Sequence, residues 1–145
     1  MSRSKDGKKV LVFGVFDNLH SGHKYFLKSA GKYGAVTAVI ARDSVVVKMK
    51  GNRPLFDQNR RLEDVLRSGL VENAVLGDDD KNHGLYNIVR DLIPDVICIG
   101  YDQKELMGDL VYWLKKNDNV KIKIIKLKPY YPEKYKSSKI ESLIK

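Results

Sequence analysis

Short apolar runs alternate with amphipathic or polar stretches along this chain. Each run is long enough for a buried strand, and most of the stretches between them carry apolar residues at helical spacing. Strands that alternate with helices in this way predict an α/β fold, with helices on both faces of one parallel sheet. Five strands are predicted over residues 10–13, 35–41, 71–76, 96–99 and 121–127, and helices over about 22–33, 58–68, 83–92 and 103–116.

Capping and breaking residues mark the ends of these helices. Polar side chains accept hydrogen bonds from the free amides of a first helical turn, whereas Gly and Pro end helices. Residues 42–50 are interpreted as a loop or short turn. The expected caps are Ser21, Asp57 and the pair Asp102 and Glu105, and the expected stops are Gly34 and Pro94. The side chains expected to face the sheet are Phe26, Leu27 and Ala30 in the first helix and Leu62, Val65 and Leu66 in the second.

The polar and glycine-rich segments of the chain follow predicted strands. They lie at residues 14–23, 42–50, 77–80 and 100–103. Because the carboxyl ends of parallel strands meet at one edge of the sheet, these segments are expected to lie close together. The pattern therefore predicts a ligand site at that edge.

The composition fits one domain without a membrane span. The chain has 145 residues, which suits a single domain over residues 1–145 with its own core. No apolar run approaches the ~20 residues of a spanning helix, and the polar, basic residues 1–9 are not those of a secretory signal. The one cysteine, Cys98, lies in an apolar run and is expected to be a buried hydrophobe in a reducing, cytoplasmic setting.

The formal net charge of +9 indicates either a solvated basic surface or attraction to anions. The lysines are spread along the chain and lack the interleaved aromatic residues of a base-stacking surface. The densest cluster, residues 121–128, alternates Lys with Ile and Leu, which is typical of a strand with one face in water. Anionic small molecules such as nucleotides are therefore favoured over nucleic acid.

The stretch from Val10 onwards combines a buried strand, a glycine bend and a helix start. Free amides and a positive dipole end at a helix N-terminus make this a geometry that binds phosphate. Two of the chain's three histidines, His20 and His23, flank the turn and are able to point into one pocket. A zinc site is a weaker interpretation, because zinc usually needs three or four protein ligands and no cysteine is nearby.

Residues 14–23, which read GVFDNLHSGH, resemble the G-x-F-D-x-x-H-x-G-H signature of the cytidylyltransferase-like nucleotidyltransferases. The resemblance implies a Rossmann-like, HUP-type fold. It implies that His20 and His23 stabilise the pentacoordinate α-phosphate of a nucleoside triphosphate, and that Asp17 orients a donor or the metal. The nucleotide-binding positions that it implies in this loop are Gly14, Val15, Phe16, Asp17 and Gly22.

Other segments match the same family. Lys48 and Lys50 follow the second strand, and the resemblance implies that Lys48 is a catalytic contact to phosphate and Lys50 an acceptor contact. A cation in the first turn of a helix opposes the dipole, which favours a ligand role for Arg60 or Arg61, and the resemblance places the family's arginine at Arg61. Residues 136–140 resemble the family's S-T-T-K-I segment, while the family's preceding arginine is absent and residues 129–132 read PYYP. The further nucleotide-binding positions implied are Arg61, Gly100, Asp102, Ser137 and Ser138.

The resemblance implies nucleotidyl transfer from ATP or CTP to a phosphorylated acceptor. The acceptor phosphate attacks the α-phosphorus and pyrophosphate leaves, so no general base is needed and catalysis depends on positioning and charge neutralisation. The implied cofactor is a divalent metal, Mg²⁺, bridged by the triphosphate without a dedicated protein site. The family also implies a homodimer.

Segments beyond the signature resemble archaeal FAD synthases, which transfer AMP from ATP to FMN. They are residues 41–43, 48–51, 59–61, 74–77 and 99–103, and Gln103 stands where bacterial cytidylyltransferases tend to have Trp. The paired cysteines expected near the C-terminus of that group are absent, with Tyr135 and Ser138 thereabouts. The alternatives are a cytidylyltransferase for glycerol 3-phosphate or another polyol or sugar phosphate, and an adenylyltransferase for phosphopantetheine or a cell-envelope sugar phosphate. A different class is a basic nucleotide- or nucleic-acid-binding module without turnover.

Overall fold

The computed structural model describes residues 7–78, 86–117 and 121–130, and these residues form a single parallel sheet with helices on both faces. All strand pairs are parallel and the strand order is β3-β2-β1-β4-β5, which confirms the predicted α/β, Rossmann-like class. The elements are β1 (Lys9–Gly14), α1 (Ser21–Ala30), β2 (Ala35–Ile40), α2 (Asp43–Lys50), α3 (Gln58–Arg67), β3 (Asn73–Leu76), α4 (Tyr86–Leu92), β4 (Val96–Ile99), α5 (Lys104–Lys116) and β5 (Lys123–Lys126).

Alternation along the central strand builds two hydrophobic cores. Val10 and Val12 of β1 pack with α1 and α3 on one face, while Leu11 and Phe13 pack with α4 and α5 on the other. Cys98 belongs to the first core and is fully buried, and burial raises the pKa of its thiol to about 12. The thiol therefore behaves as the small hydrophobe that its apolar surroundings predict.

The strand order places a crevice between β1 and β4. These strands are neighbours, yet the helices that follow them cover opposite faces of the sheet. In open α/β sheets this reversal leaves a gap beyond the carboxyl ends of the two strands, where ligands bind. The loops after β1 and β4 therefore face each other across that gap.

Residues 42–50 are largely a helix, so the prediction of a loop was wrong. Asp43 in the first turn and lysines in the last turn both favour the helix dipole, and Gly51 ends the helix with a φ of 79°. The Asp43 N–H donates to Gln58 Oε1 at 2.9 Å, and the Gln58 N–H donates to Asp43 Oδ2 at 3.3 Å. This reciprocal pair joins the starts of α2 and α3, which a local pattern does not reveal.

Two predicted helix caps differ from those observed. His20, not Ser21, is the cap of α1, because its imidazole accepts from the Gly22 N–H. Gln103, not Asp102, is the N-cap residue that precedes α5, and its side chain makes no cap bond. Asp102 and Glu105 therefore do not form the expected capping box. Ser21 lies next to His20 of the predicted ligand site, and Asp102 is itself a residue of that site.

The remaining predictions about helices have mixed outcomes. Asp57 caps α3 as predicted, accepting from the Arg60 N–H at 2.8 Å. Leu27 and Ala30 are buried, whereas Leu66 is 37% exposed and was wrongly assigned to the core. Helix α1 ends at Ala30 rather than near residue 33. None of the helices within the described residues is both long and apolar enough to cross a membrane.

Candidate active site

A cleft of about 740 Å³ lies at the carboxyl edge of the sheet. Loops that follow all five strands contribute to its walls. Lys48 and Arg61 do not line it, and Ser137 and Ser138 lie outside the described residues. The predicted site residues that the cleft does bring together are Gly14, Val15, Phe16, Asp17, His20, Gly22, His23, Lys50, Gly100 and Asp102.

His20 and His23 stack against each other at the N-terminus of α1. Their ring centroids are 3.9 Å apart and the ring planes differ by 21°. The Gly22 N–H donates to His20 Nδ1 at 3.0 Å, and the His20 N–H donates to His23 Nδ1 at 3.3 Å. Since both Nδ1 atoms accept hydrogen bonds, each neutral ring carries its proton on Nε2. The cleft wall therefore has two neighbouring imidazoles with Nε2–H as their remaining donors.

The environment of His23 keeps its ring uncharged near neutral pH. Burial, followed by the neighbouring His20, lowers its pKa from 6.5 to about 4. Asp17 and Asp102 act in the opposite direction, and Lys50 lowers the pKa further. A neutral imidazole with a free Nε2–H suits an anionic ligand, because it donates a hydrogen bond to the ligand's negatively charged oxygens.

Phe16 packs against His23, and Gly14 leaves room for the Phe16 ring. Phe16 has a φ of 52°, is 4% exposed, and packs edge-on against His23 with a centroid distance of 5.6 Å. A Cβ on Gly14 would lie 2.8 Å from the Phe16 ring, so a side chain there would displace Phe16. The bend thus needs glycine because an aromatic ring covers its Cα.

Asp17 ties the bend to the loop that precedes α3. Its Oδ2 accepts from the Leu55 N–H at 2.7 Å and its Oδ1 from the Phe56 N–H at 3.0 Å. Because each carboxylate oxygen accepts a backbone amide, the geometry favours a role in holding the two loops together over the predicted role of orienting a donor or the metal.

Arg61 is placed differently from the predicted nucleotide contact. Its side chain is fully buried, and its guanidinium donates to the carbonyl oxygens of Phe56, Val15 and Ala41 at 2.8–2.9 Å. The same group pairs with Asp43 at 2.7 Å. Arg61 therefore holds together the segments under the cleft instead of lining it, and its position in the first helical turn reflects these carbonyls.

The two lysines of α2 differ in position. Lys50 lines the cleft and its charge acts on His23, whereas Lys48 does not line the cleft; both side chains are exposed. The roles assigned to the two lysines stay predictions, and the geometry favours a ligand contact at Lys50. Because residues 42–50 were interpreted as a loop, helical spacing could not be used to separate the two side chains.

On the other side of the crevice, Gly100 and Gln103 join β4 to β1. The Gly100 N–H donates to Gln103 Oε1 at 2.9 Å, and Gln103 Nε2 donates to the Phe13 carbonyl oxygen at 2.9 Å. A Cβ on Gly100 would lie 3.2 Å from Asp102 Oδ1, so this carboxylate folds over the glycine. The loop after β4 thereby holds Asp102 at the cleft.

Several cleft residues were not predicted from the sequence. Tyr130 lies beside α1, where its ring packs against Tyr25 with a centroid distance of 5.2 Å. The apolar or basic character of these residues is common in any α/β protein, and only their placement after a strand was a signal. The unpredicted residues include Tyr25, Met49, Tyr101, Gln103, Lys128 and Tyr130.

The described residues contain no group of three or more His, Cys, Asp or Glu side chains arranged to hold a metal ion. The cleft does contain the carboxylate of Asp102, which accepts no hydrogen bond from the residues described. Mg²⁺ is commonly bound through substrate phosphates with one or two carboxylates and water. The donor set fits a cation that arrives with a nucleotide.

Comparison with known proteins gives a consistent result. Residues 11–143 match the family described as cytidylyltransferase-like. The chain is 38% identical to an FAD synthase of Aciduliprofundum boonei, over 84% of this chain and 79% of that protein. It is 34% identical to an FAD synthase of Thermoplasma volcanium, over 94% of this chain and 93% of that protein.

Solved structures support the same fold. A structure from Thermoplasma volcanium, described as a lipopolysaccharide core biosynthesis protein, has a TM-score of 0.76 at 34% identity and covers 86% of this chain and 98% of its own. A pantoate-beta-alanine ligase from Francisella tularensis has a TM-score of 0.60 at 14% identity, covering 86% of this chain and 60% of its own, and is similar in fold alone.

Proposed function

Because the chain belongs to the cytidylyltransferase-like family, and its relatives there are FAD synthases, we propose that it transfers AMP from ATP to FMN. The products are FAD and pyrophosphate. The observation that carries the proposal is the stacked pair of His20 and His23 at the N-terminus of α1, within a cleft at the crevice between β1 and β4. A phosphate-binding helix end and two imidazole donors meet there.

The reaction is an in-line substitution at the α-phosphorus of ATP. An oxygen of the FMN phosphate forms the new P–O bond, and the bond to the β-phosphate bridging oxygen breaks as pyrophosphate leaves. The attacking phosphate is already anionic, so no residue needs to remove a proton. His20 and His23 donate from Nε2 to the oxygens on which charge develops, and preorganised donors of this kind supply a large part of catalysis.

A divalent cation, Mg²⁺ in the proposal, neutralises part of the triphosphate charge when it is bound. Asp102 is a cleft carboxylate able to contribute to its binding, as is Glu105, since Asp17 and Asp78 are each engaged by two backbone amides. Lys50 neutralises anionic charge near His23, and Gly100 and Gln103 keep the loop after β4 in position for the nucleotide.

A pyrophosphate-release assay with a matrix of substrates tests the proposal. The purified chain is offered ATP or CTP together with FMN, glycerol 3-phosphate or a sugar 1-phosphate. We expect release with ATP and FMN, and FAD as the second product by chromatography. Release only with CTP and glycerol phosphate, or only with a sugar phosphate, would assign the chain to another acceptor.

The sugar-phosphate arm is included because the similar solved structure from Thermoplasma volcanium is described as a lipopolysaccharide core biosynthesis protein. Absence of release with every pair would favour a binding module without turnover. A homodimer, a cytoplasmic location, a single domain over residues 1–145 and the absence of nucleic-acid binding stay predictions.

A further inference from the structure

One wall of the cleft is apolar and belongs to α2. Val45 and Met49 are four residues apart, so they lie on the same face of the helix, and both line the cleft together with Ala41. Val45 is 4% exposed and supports Met49, whose side chain remains 47% exposed. We name Ala41, Val45 and Met49 the α2 wall. An exposed methionine that faces a cleft is available to a ligand in a way that a core methionine is not.

A positive charge adjoins the α2 wall. Lys50 follows Met49 directly, lines the same cleft, and acts electrostatically on His23. Gly77 and Asp78, which follow the neighbouring strand β3, also line the cleft, and the Asp78 carboxylate is engaged by the N–H groups of Asn87 and Ile88 at 3.0 and 3.2 Å. The region therefore combines an apolar surface with one cation beside the histidines.

This combination matches an acceptor with two chemical parts. A phosphate monoester suits Lys50 and the neighbouring histidines, while the face of a flat aromatic ring suits methionine and valine side chains. Glycerol phosphate and other polyol phosphates have no apolar part that would use the α2 wall. The loop after β4 and the start of α5 line the cleft with Tyr101, Asp102 and Glu105, which offer polar groups to a nucleoside, and with the apolar Leu106.

We propose that the α2 wall binds the isoalloxazine ring of the flavin acceptor, with Met49 as its main contact, beside the acceptor-phosphate contact at Lys50 that the family resemblance implies. The proposal rests on the proposed function and goes further, because it assigns a site for the ring that the loop signature does not contain. It predicts that ring and phosphate are recognised by separate residues, so their contributions can be removed one at a time.

Flavin fluorescence quenching on the intact chain tests the assignment. Riboflavin and FMN are titrated separately in the presence of an ATP analogue whose α–β bond cannot be cleaved. Met49→Gln, which keeps the length of the side chain but makes it polar, is expected to weaken both flavins about tenfold. Lys50→Met is expected to weaken FMN by a similar factor and leave riboflavin within about twofold.

Val47→Gln is the matched control. Val47 lies on the same helix, is 39% exposed, and does not line the cleft, so the same kind of polar replacement should leave both dissociation constants unchanged. Equal binding of both flavins by Met49→Gln and the unaltered chain overturns the α2 wall as the ring site. Equal weakening of FMN and riboflavin by Lys50→Met overturns the separate phosphate contact.

Turnover distinguishes this inference from the proposed function. If the unaltered chain makes FAD while Met49→Gln binds flavins normally, only the α2 wall assignment fails. If the unaltered chain makes no FAD from ATP and FMN, the proposed function fails, and the flavin site that rests on it is overturned as well.

Discussion

Gln103 donates from its side-chain amide to the carbonyl oxygen of Phe13, across 90 residues of sequence and at a distance of 2.9 Å. The same amide accepts from the Gly100 N–H, so one side chain connects the carboxyl ends of β1 and β4. The loop that carries His20 and the loop that carries Asp102 are thereby held at a fixed separation. The crevice between the two strands is thus bridged by the protein itself.

Replacing Gln103 by Glu should impair the enzyme through this bridge. The carboxylate still accepts from the Gly100 N–H but cannot donate to the Phe13 carbonyl oxygen. A carboxylate oxygen then faces that carbonyl oxygen, which has lost its donor. Such a loss costs about 1–3 kcal/mol. Urea denaturation and steady-state kinetics measure it: we expect lower stability and a raised KM for ATP. Glu105→Gln, an adjacent change of equal size, is the control for stability, and wild-type values of stability and KM in Gln103→Glu would contradict the bridge.

Removing either histidine should slow transfer strongly. His20→Ala and His23→Ala each remove a donor to the reacting phosphate, and a lost donor of this kind costs about 10²–10³ in kcat. His20→Ala also removes the helix cap, which costs about 1 kcal/mol of stability. Rapid-quench turnover of ATP and FMN, with thermal unfolding in parallel, separates the two effects. Near-normal turnover in both variants would remove the imidazoles from the mechanism.

The free energy of unfolding should depend on pH through the protonation of His23. Its pKa is lowered from 6.5 to about 4 in the folded protein, so between these values the unfolded chain binds a proton that the folded chain does not. The neutral His23 ring therefore contributes its full share to the free energy of unfolding above pH 6.5. That share declines as the pH falls towards about 4 and changes little below that.

Proton NMR of the imidazole and urea unfolding from pH 7 to pH 4 provide the measurement. In His23→Gln the decline of stability between pH 6.5 and about 4 should be smaller than in the unaltered chain. A His23 resonance that titrates at or above pH 6.5 in the absence of ligand would show that burial does not control the ring.

Arg61 should matter for folding more than for direct nucleotide contact. Its guanidinium is fully buried and bonds three carbonyl oxygens and Asp43, so Arg61→Met removes the guanidinium donors from the carbonyls and the ion pair from Asp43. Leaving a buried acceptor without its donor costs about 1–3 kcal/mol. Chemical denaturation measures the loss, with Arg60→Met as the neighbour whose charge is exposed. A stable Arg61→Met protein with a raised KM for ATP would restore the predicted nucleotide contact.

The contrast between Arg61 and His20 shows what a sequence reveals in this fold. The apolar runs identify the central strands, because burial on both faces leaves few polar positions in a parallel strand, and the alternation of Lys with Ile identifies β5 at the edge of the sheet. The histidines follow from a local motif in which the strand, the bend and the helix start are contiguous. Arg61 instead depends on carbonyls of residues 15, 41 and 56, which only the tertiary structure brings together.

Helix α2 was missed for a related reason. Three consecutive β-branched residues, 45–47, lower helix propensity, and charged residues flank them. The reciprocal bonds between Asp43 and Gln58, together with burial of Val45 and Val46, favour the helix over that local preference. In a helix over residues 43–50, side chains two positions apart point in different directions. Lys50 therefore lines the cleft while Lys48 does not.

The two lysines of α2 offer the sharpest test of that separation. Lys50 lines the cleft and influences His23, whereas Lys48, two residues earlier, does not line the cleft. Lys50→Met should therefore raise the KM for FMN and lower kcat/KM by about tenfold or more, since a charged contact to phosphate is worth about 1.5–3 kcal/mol. Lys48→Met should retain kcat/KM within about twofold, because exposed charges that face solvent contribute little. Initial-rate kinetics at varied FMN and saturating ATP measure both variants. A larger loss in Lys48→Met than in Lys50→Met would mean that α2 turns its other face to the substrate, and it would return Lys48 to the catalytic role that the motif predicts.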